Sequence, residues 1–245
     1  MKFRIKSFEV VIPVYNEEKE LEQSVVKLRN FCRKSLETYQ FKITIADNAS
    51  TDKTSDISKQ LTMKYPEVNF LHLDQKGRGR AVKLAWIKSH ADAMAYMDVD
   101  LSTDLKSFPR LLMALENDFS IAIGSRLLDQ SKVKERTMKR EFLSRVYNML
   151  IRLFFGVRFH DAQCGFKAVN KKVVKELIPK IEDNEWFFDS ELLIVGEKSG
   201  YKIYEEPVLW IDNPGSTVRV MKTAMGDLKG LWRLFWERPW EKNEK

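Results

Sequence analysis

Cysteine is scarce in this sequence of 245 residues, which contains only Cys32 and Cys164. Two cysteines without metal-ligand spacing give no reason to expect a zinc site or a disulfide, and they fit a reducing compartment. Long apolar runs are also missing. Nowhere do eighteen consecutive apolar residues occur, so we expect no membrane-spanning helix. The start, MKFRIKSFEV, lacks the apolar stretch of a signal peptide, and we therefore expect a cytoplasmic location.

Several catalytic motifs are absent as well. His72, His90 and His160 are scattered along the chain, which argues against a histidine metal site. The segment Gly77-Arg78-Gly79 lacks the third glycine of a dinucleotide-binding fingerprint, and no Walker pattern is present. This segment could donate backbone N–H groups to a phosphate, or it could form only a tight turn. Ser125 lacks the nucleophile-elbow context of a serine hydrolase.

Positive charge is in excess and unevenly distributed. The sequence has 42 Lys and Arg against 35 Asp and Glu, a net charge of +7. In the segment 130–158 only two acidic residues, Glu135 and Glu141, oppose eight basic ones: Lys132, Lys134, Arg136, Lys139, Arg140, Arg145, Arg152 and Arg158. A local excess of this kind favours an anionic partner, such as a nucleotide, a nucleic acid or membrane headgroups.

Apolar runs alternate with helical patterns along the first half of the chain. Five runs are predicted strands: residues 8–14, 41–46, 68–73, 93–97 and 119–124. Helices are predicted between them, including residues 21–31, 53–63 and 105–115 and a helix that ends at Trp86, with Asn16 capping the first. Strands that alternate with helices imply right-handed crossovers and a largely parallel sheet. The length of the chain suits one such α/β domain.

Three predicted strands end in polar clusters, at Asp47, Asp98 and Arg126. The carboxyl ends of parallel strands lie at one edge of a sheet, so these clusters can converge there. Asp98 and Asp100 are one residue apart, and paired carboxylates at a strand end suit a hard cation such as Mg²⁺ or Mn²⁺. Taken alone, the same pair could be solvated turn residues.

A resemblance to a known family rests on five motifs at this edge: VVIPVYNEE (10–18), ADNASTDKT (46–54), KGRGRA (76–81), MDVDLSTD (97–104) and GSR (124–126). Together they resemble the family 2 inverting glycosyltransferases, which implies the Rossmann-like GT-A fold with a mostly parallel sheet flanked by helices. Two further motifs, DAQCGFKA (161–168) and WFFDSELL (186–193), are similar to the polyprenyl-phosphate sugar transferases, notably dolichyl-phosphate glucose and mannose synthases. The resemblance covers roughly residues 8–219.

The resemblance implies roles on the donor side of the site. The donor nucleotide would be bound by Pro13, Tyr15, Glu17, Asp47, Asn48, Lys76 and Asp98. Asp98 and Asp100 would hold Mg²⁺ or Mn²⁺ against the diphosphate, and Asp100 would be catalytic. Gln163, Asp189 and Glu191 would contact the sugar, with a structural role as the alternative for the two acidic residues.

The resemblance also implies an acceptor site. Arg126 and Arg140 would grip a lipid phosphate and act in catalysis, with Ser144 and Arg219 beside them. Arg140 could instead be a charge on a helix surface. Such synthases often carry the motif Gly-x-Ser-Lys near the C-terminal end. This chain has Gly215-Ser216-Thr217-Val218-Arg219 there, so Arg219 is about two residues out of register with that lysine. A lipid monophosphate is already anionic at pH 7, so no general base is obligatory.

The implied activity is transfer of glucose or mannose, from UDP-glucose or GDP-mannose, to dolichyl or undecaprenyl phosphate with inversion. A soluble transferase with a hydroxyl acceptor is the alternative, and a silent nucleotide-sugar binding protein is a third possibility. No nucleic-acid partner is expected. Residues 1–219 would form the catalytic domain. Residues 220–245 would form an amphipathic segment that binds the cytoplasmic face of a membrane or, alternatively, packs on the core.

Overall fold

The structure is a computed structural model that describes residues 4–211 and 220–241. The strands in these ranges are β1 Ser7–Val14, β2 Gln40–Asn48, β3 Val68–Leu73, β4 Ala93–Met97, β5 Ile121–Ser125, β6 Lys132–Lys134, β7 Phe166–Asn170, β8 Ile203–Pro207 and β9 Leu209–Ile211. The helices are α1 Leu21–Ser35, α2 Thr54–Lys64, α3 Arg78–Lys88, α4 Phe108–Glu116, α5 Met138–Phe155, α6 Lys171–Glu176, α7 Phe188–Lys198 and α8 Val220–Glu237. All five predicted strands are present, with ends that differ by up to two residues.

Seven strands form the main sheet in the order β3-β2-β1-β4-β7-β5-β8. All neighbours are parallel except β7, which runs antiparallel to both β4 and β5. The short strands β6 and β9 pair separately. The expected α/β fold, a mostly parallel sheet flanked by helices, is therefore confirmed.

Side chains of the sheet pack into two apolar layers, one on each face. Along β1, Val10 and Ile12 belong to the layer beneath α1 and α4, whereas Val11 belongs to the layer beneath α3 and α7. This split follows from the two-residue period of a strand, and it explains why β1 is apolar throughout. Both faces of the sheet are covered, so polar side chains gather where the strands end.

One expectation about this edge is wrong. Asn16 does not cap the first helix, because α1 begins only at Leu21. Asn16 adopts a positive φ of 57° in the preceding loop, and its Oδ1 accepts a hydrogen bond from Thr51 N at 2.8 Å. The residue therefore joins the β1–α1 loop to the β2–α2 loop.

The antiparallel strand β7 determines which further residues reach the edge. Phe166, the first residue of β7, pairs with Met97, the last residue of β4. The loop 161–165 that precedes β7 is thereby placed beside Asp98 and near the end of β5. Residues far apart in sequence meet at one edge for this reason.

Helix α8 has two different faces. Leu231 and Leu234 are buried in the core, and a Cβ at Gly230 would lie 2.2 Å from Cδ1 of Phe187. Its opposite face exposes large apolar side chains: Met225, Leu228, Trp232, Phe235 and Trp236. The alternative of packing on the core therefore holds for one face of α8, while membrane binding through the other face stays a prediction. None of the helices within the described ranges is long and apolar enough to cross a bilayer.

Candidate active site

Asp98 and Asp100 lie directly after β4, at the carboxyl edge of the sheet. The Asp98 side chain is 45% exposed, and its Oδ1 accepts a hydrogen bond from the Arg78 guanidinium. Asp100 Oδ1 accepts from Ser102 N at 3.0 Å. Gly165 lies against Asp98, and its carbonyl accepts a hydrogen bond from Asp98 N at 3.1 Å. The predicted carboxylate pair is therefore held in place by neighbouring backbone and by one guanidinium.

Negative charge accumulates around this pair. Burial, together with the Asp98 carboxylate, raises the pKa of Asp100. Burial also raises the pKa of Glu17 to about 7, with further contributions from Glu20, Asp100, Asp52 and Asp98. Crowded carboxylates of this kind fit a divalent cation, which would relieve their mutual repulsion. Among the described residues no group of three or more His, Cys, Asp or Glu is arranged to hold a metal, so a cation here would need diphosphate oxygens as further ligands.

Arg78 connects the carboxylate pair to α7. It is buried, and its Nη1 donates to Asp189 Oδ2 at 2.6 Å while its Nη2 bonds Asp98. Asp189 Oδ1 also accepts from Lys167 Nζ at 2.8 Å and from the Tyr96 hydroxyl. Burial alone would raise the pKa of Asp189, but Lys167 and Arg78 outweigh it and the pKa falls. Asp189 is thus a weak base with both oxygens engaged, and its contact with sugar stays a prediction.

Sequence reasoning missed the role of the Arg78 side chain. The sequence pattern of Gly77-Arg78-Gly79 indicates either backbone N–H groups for a phosphate or a tight turn, and it assigns no role to the arginine side chain. The glycine beside Arg78 gives a second indication of a crowded site, because a Cβ at Gly79 would lie 2.5 Å from the Cβ of Phe188. A buried charged residue at such a tightly packed helix start needs partners, and Arg78 has two carboxylates, the buried Asp189 and the half-exposed Asp98.

Two loops shape the predicted nucleotide side. Asn16 N donates to Ser50 Oγ at 2.9 Å, and Glu17 N donates to Thr54 Oγ1 at 2.8 Å. These bonds hold the segment after β1 against the segment after β2. Pro13 is buried near the end of β1, and Tyr15 follows it half-buried. The Lys76 ammonium bonds the Tyr15 hydroxyl and lies 3.8 Å from its ring centroid.

Asp47 and Asn48, the last two residues of β2, are already hydrogen-bonded. Asp47 is fully buried and accepts from Ser55 Oγ at 2.5 Å and from His72 Nδ1 at 2.8 Å. Burial opposes ionisation, yet these bonds and that from Ser50 lower the pKa of Asp47. Asn48 Oδ1 accepts from Gly77 N at 2.5 Å. The structure brings Tyr15, Asp47, Asn48 and Lys76 together, while their contacts with a nucleotide stay predictions.

The predicted acceptor side centres on a buried ion pair. Arg126 Nε and Nη2 donate to the two oxygens of Asp161 at 2.8 and 2.9 Å. The Trp210 ring lies under two guanidinium groups, with centroid distances of 5.4 Å to Arg126 and 5.8 Å to Arg136. Arg136 is also largely buried: its Nη1 donates to Glu141 Oε2 at 2.8 Å, and its Nε has no hydrogen-bond partner in the described residues. Two close guanidinium groups, one with an unsatisfied donor, suit an anion, and their contact with an acceptor phosphate stays a prediction.

An open pocket of about 440 Å³ lies above these groups, lined by Arg126, Leu128, Asp129, Ser131, Val133, Arg136, Met138, Glu141 and Arg145. Arg140 lies half-buried in the first turn of α5, near this pocket. Ser144, one turn later, is buried, and its Oγ has no partner in the described part of the chain. Arg219 lies outside the described residues.

Two predicted sugar contacts lie next to α8. Gln163 Nε2 donates to Asp227 Oδ2 at 2.9 Å. Glu191 is fully buried and accepts from Arg233 Nη2 at 2.7 Å and from Asp183 N at 2.7 Å. Glu191 therefore ties α8 and the loop before α7 together, as its structural alternative requires, and a sugar contact of Glu191 stays a prediction.

Comparison with known proteins gives consistent matches. The model of the family described as glycosyl transferase family 2 matches residues 9–178. Glycosyltransferase AglD of Haloferax volcanii is 31% identical over 93% of this chain, which spans 37% of that protein. Dolichyl-phosphate beta-glucosyltransferase ALG5A of Trichomonas vaginalis is 28% identical over 92% of the chain, which spans 75% of that protein. The dolichyl-phosphate beta-glucosyltransferase of Mus musculus is 27% identical over 94% of the chain and 78% of its own length.

Solved structures confirm the fold. Glucosyl-3-phosphoglycerate synthase from Mycobacterium tuberculosis in complex with UDP has a TM-score of 0.67 at 16% identity, covering 98% of this chain and 82% of that one. The same synthase in complex with Mn²⁺, UDP-glucose and phosphoglyceric acid has a TM-score of 0.65 at 13% identity, with the same coverage. At these identities the likeness concerns the fold alone.

Proposed function

Because the chain belongs to glycosyl transferase family 2, we propose that it transfers a hexose from a nucleoside diphosphate sugar to a polyprenyl phosphate, with inversion. Glucose from UDP-glucose is favoured, since several relatives are named dolichyl-phosphate beta-glucosyltransferases. The solved complexes of a protein with this fold, which contain UDP-glucose and Mn²⁺, agree with that donor. Mannose from GDP-mannose is the alternative that the test must include.

The observation that carries the proposal is the state of Asp189, which lies in WFFDSELL, the motif where the resemblance to soluble transferases would place a base. A hydroxyl acceptor needs a base to remove its proton, but Asp189 is paired with Lys167 and Arg78 and has a lowered pKa. A phosphate monoester needs no base, because it is already a nucleophile at neutral pH. The guanidinium groups of Arg126 and Arg136 supply the positive charge that such an acceptor requires.

In this mechanism each group of the chain positions charge. Asp98 and Asp100 would hold Mg²⁺ or Mn²⁺, which when bound neutralises the departing diphosphate. Arg126, Arg136 and Arg140 hold the acceptor phosphate so that one oxygen attacks the anomeric carbon from the face opposite the diphosphate. The bond from that carbon to the donor breaks, and its electron pair leaves with the nucleoside diphosphate. No proton has to move.

The acceptor also accounts for an exposed apolar surface on α5 and α8. The two helices are neighbours, with Phe154 and Phe235 in edge contact at 6.4 Å. We define the outer face as their exposed apolar side chains: Met138, Phe142, Leu143, Met149, Leu153, Phe154, Met225, Leu228, Trp232, Phe235 and Trp236. A polyprenyl chain stays in the bilayer, so the enzyme would bind the membrane surface through this face. Since Met138 and Arg145 of α5 also line the acceptor pocket, a docked α5 would bring the pocket to the headgroup level.

Transfer of radiolabelled hexose into organic solvent tests the proposal. We expect label from UDP-glucose to enter the organic phase when purified protein, Mn²⁺ or Mg²⁺ and a polyprenyl phosphate are present together. The control acceptor is the same polyprenol without its phosphate, and we expect no label to be transferred to it. Transfer to the free alcohol at an equal rate would contradict the proposal and favour a hydroxyl acceptor. GDP-mannose in a parallel reaction identifies the donor.

A further inference from the structure

A polar cluster lies where α5, α7, α8 and the loop 161–165 meet. It consists of two hydrogen-bonded pairs, Tyr147 on α5 with Ser190 on α7 and Gln163 in the loop with Asp227 on α8, which together we call the helix-junction cluster. Gln163 Nε2 donates to Asp227 Oδ2 at 2.9 Å, and the hydroxyls of Tyr147 and Ser190 are 2.8 Å apart. Gln163 lies in the DAQCGFKA motif and Ser190 in the WFFDSELL motif, whereas Tyr147 and Asp227 belong to none of the motifs quoted above.

Asp227 has an unsatisfied oxygen within this cluster. The residue is only 4% exposed, and its Oδ1 has no hydrogen-bond partner in the part of the chain that the structure describes. Leaving a buried carboxylate oxygen unpaired is costly, and native proteins rarely do so without a functional reason. Asp227 thus offers a buried acceptor to a ligand.

The cluster adjoins the active site. Burial and the charges of Asp183 and Asp189 raise the pKa of Asp227 to about 7. Ser190 of the cluster follows Asp189 directly on α7, and Asp189 is linked through Arg78 to Asp98. Gln163 is also only two residues from Gly165, which lies against Asp98. The cluster therefore borders the space next to the predicted cation site.

The chemistry of the cluster excludes a phosphate and suits a sugar. Its members are one carboxyl, one amide and two hydroxyls, and none carries positive charge. A carboxylate repels phosphate but accepts hydrogen bonds well from neutral hydroxyl groups. The cation-rich pocket around Arg126 and Arg136 is the place for phosphate, so the two polar regions divide the ligands between them.

We propose that Asp227, positioned by Gln163, binds a hydroxyl group of the donor hexose and thereby helps to select the sugar. The inference rests on the proposed function, because it requires that the donor carries a hexose. It also gives α8 a second role, since the helix that exposes Trp232 and Trp236 on its outer side contributes a sugar ligand on its inner side. Sugar recognition would then depend on α8 being in place.

The experiment compares the binding of UDP with that of UDP-glucose by calorimetry in Mn²⁺, without any acceptor. Asp227→Asn and Asp227→Ala should each weaken UDP-glucose binding, by about tenfold for the alanine variant. UDP binding should stay unchanged, because UDP lacks the sugar. Glu237→Gln, which makes the same change on an exposed part of α8, serves as the matched control and should alter neither ligand.

The outcomes separate a sugar ligand from a purely structural residue. If Asp227 only anchors α8 to Gln163, Asp227→Asn keeps that bond and leaves UDP-glucose binding unchanged, which would overturn the proposal. Equal weakening of UDP and UDP-glucose would overturn it as well. If Asp227→Ala does not fold, Asp227→Asn still decides. A wild-type protein that binds UDP-glucose better than UDP but transfers nothing to polyprenyl phosphate would reject the proposed function and leave this inference standing.

Discussion

A Cβ atom on Gly165 would lie only 1.7 Å from Oδ2 of Asp98. The contact is far below van der Waals distance, so any side chain at position 165 must displace the Asp98 carboxylate. Gly165 therefore helps to shape the candidate active site although it has no functional group. The glycine in the DAQCGFKA motif leaves room for a carboxylate that lies 67 residues earlier in the sequence.

We predict that Gly165→Ala reduces transfer at least about a hundredfold, because a misplaced ligand group costs on that scale. The measurement is kcat/KM for UDP-glucose at saturating cation, together with Tm. Gly226→Ala is the matched control, since a Cβ there meets nothing within 4 Å. Full activity of Gly165→Ala would show that the Asp98 carboxylate can move without loss of function.

Removal of one carboxylate at the cation site gives the second prediction. Asp100→Ala should nearly abolish transfer while leaving the fold intact, because Asp100 Oδ1 is hydrogen-bonded only locally, to Ser102 N. Chelation should stop transfer by the wild-type protein, and added Mn²⁺ or Mg²⁺ should restore it. Titration of Mn²⁺ in the presence of UDP checks binding directly. Full activity of Asp100→Ala in chelator-treated buffer would contradict the assignment.

Much of this edge could be predicted because strand ends are visible in the sequence. The runs before Asp98 and Arg126 are largely apolar, the run before Asp47 alternates apolar residues with Lys42 and Thr44, and parallel strands place their polar ends at one edge of the sheet. Those clusters do converge in the structure. Neither strand β7 nor its reversed direction was predicted, since a five-residue strand that contains a lysine gives a weak pattern and carries no mark of its orientation. Yet that reversal is what places Asp161 and Gly165 in the site.

The buried ion pairs of the site could not be predicted from the sequence. Lys167 is fully buried, but in the sequence of β7 it is only a lysine between two apolar residues. No local pattern predicts that its partner is Asp189, 22 residues later. The ion pair of Arg126 with Asp161 was missed for the same reason. Such pairs depend on tertiary proximity, whereas periodicity in the sequence reports only which face a residue occupies.

Acceptor binding gives a third prediction. Arg136→Ala and Arg140→Ala should each raise KM for the polyprenyl phosphate by about tenfold to a hundredfold, the value of one charge-assisted contact of about 1.5–3 kcal/mol. KM for UDP-glucose should hardly change. Lys172→Ala, which removes an exposed cation on α6, serves as the control. A rise in the donor KM instead would place these arginines at the diphosphate.

The Arg126–Asp161 pair predicts how stability depends on pH. Burial would raise the pKa of Asp161, but Arg126 outweighs it and lowers the value from 3.8 to about 2. Because the pKa of Asp161 is lower in the folded protein than in the unfolded chain, its ionised carboxylate stabilises the folded state by about 2 kcal/mol. This contribution is complete above about pH 4 and is lost as the pH falls through about 2. Urea unfolding of wild type and Asp161→Asn should therefore show a stability difference that shrinks from pH 5 to pH 2. A difference independent of pH would mean that Asp161 is not ionised in the folded protein.

Membrane binding through the outer face of α5 and α8 gives the last prediction. Deleting residues 220–245 would test it poorly, because Leu231 and Leu234 would leave the core at the same time. The double variant Trp232→Ser and Trp236→Ser changes only side chains that are 67% and 66% exposed. It should bind anionic vesicles about tenfold or more weakly, since interfacial indoles are lost while the fold is kept.

Transfer should follow the same pattern, with a slower rate to long-chain carriers in vesicles and an unchanged rate to a short, water-soluble polyprenyl phosphate. Met63→Ser on α2, which is 81% exposed on a different part of the surface, is the control and should alter neither binding nor transfer. Basic side chains on α5, such as Arg145 and Arg152, add an electrostatic contribution, so binding should also weaken as salt is raised. Liposome flotation measures this binding. If the double variant floats with anionic vesicles as well as the wild type does, this face does not contact the bilayer and the carrier reaches the Arg126 pocket by another route.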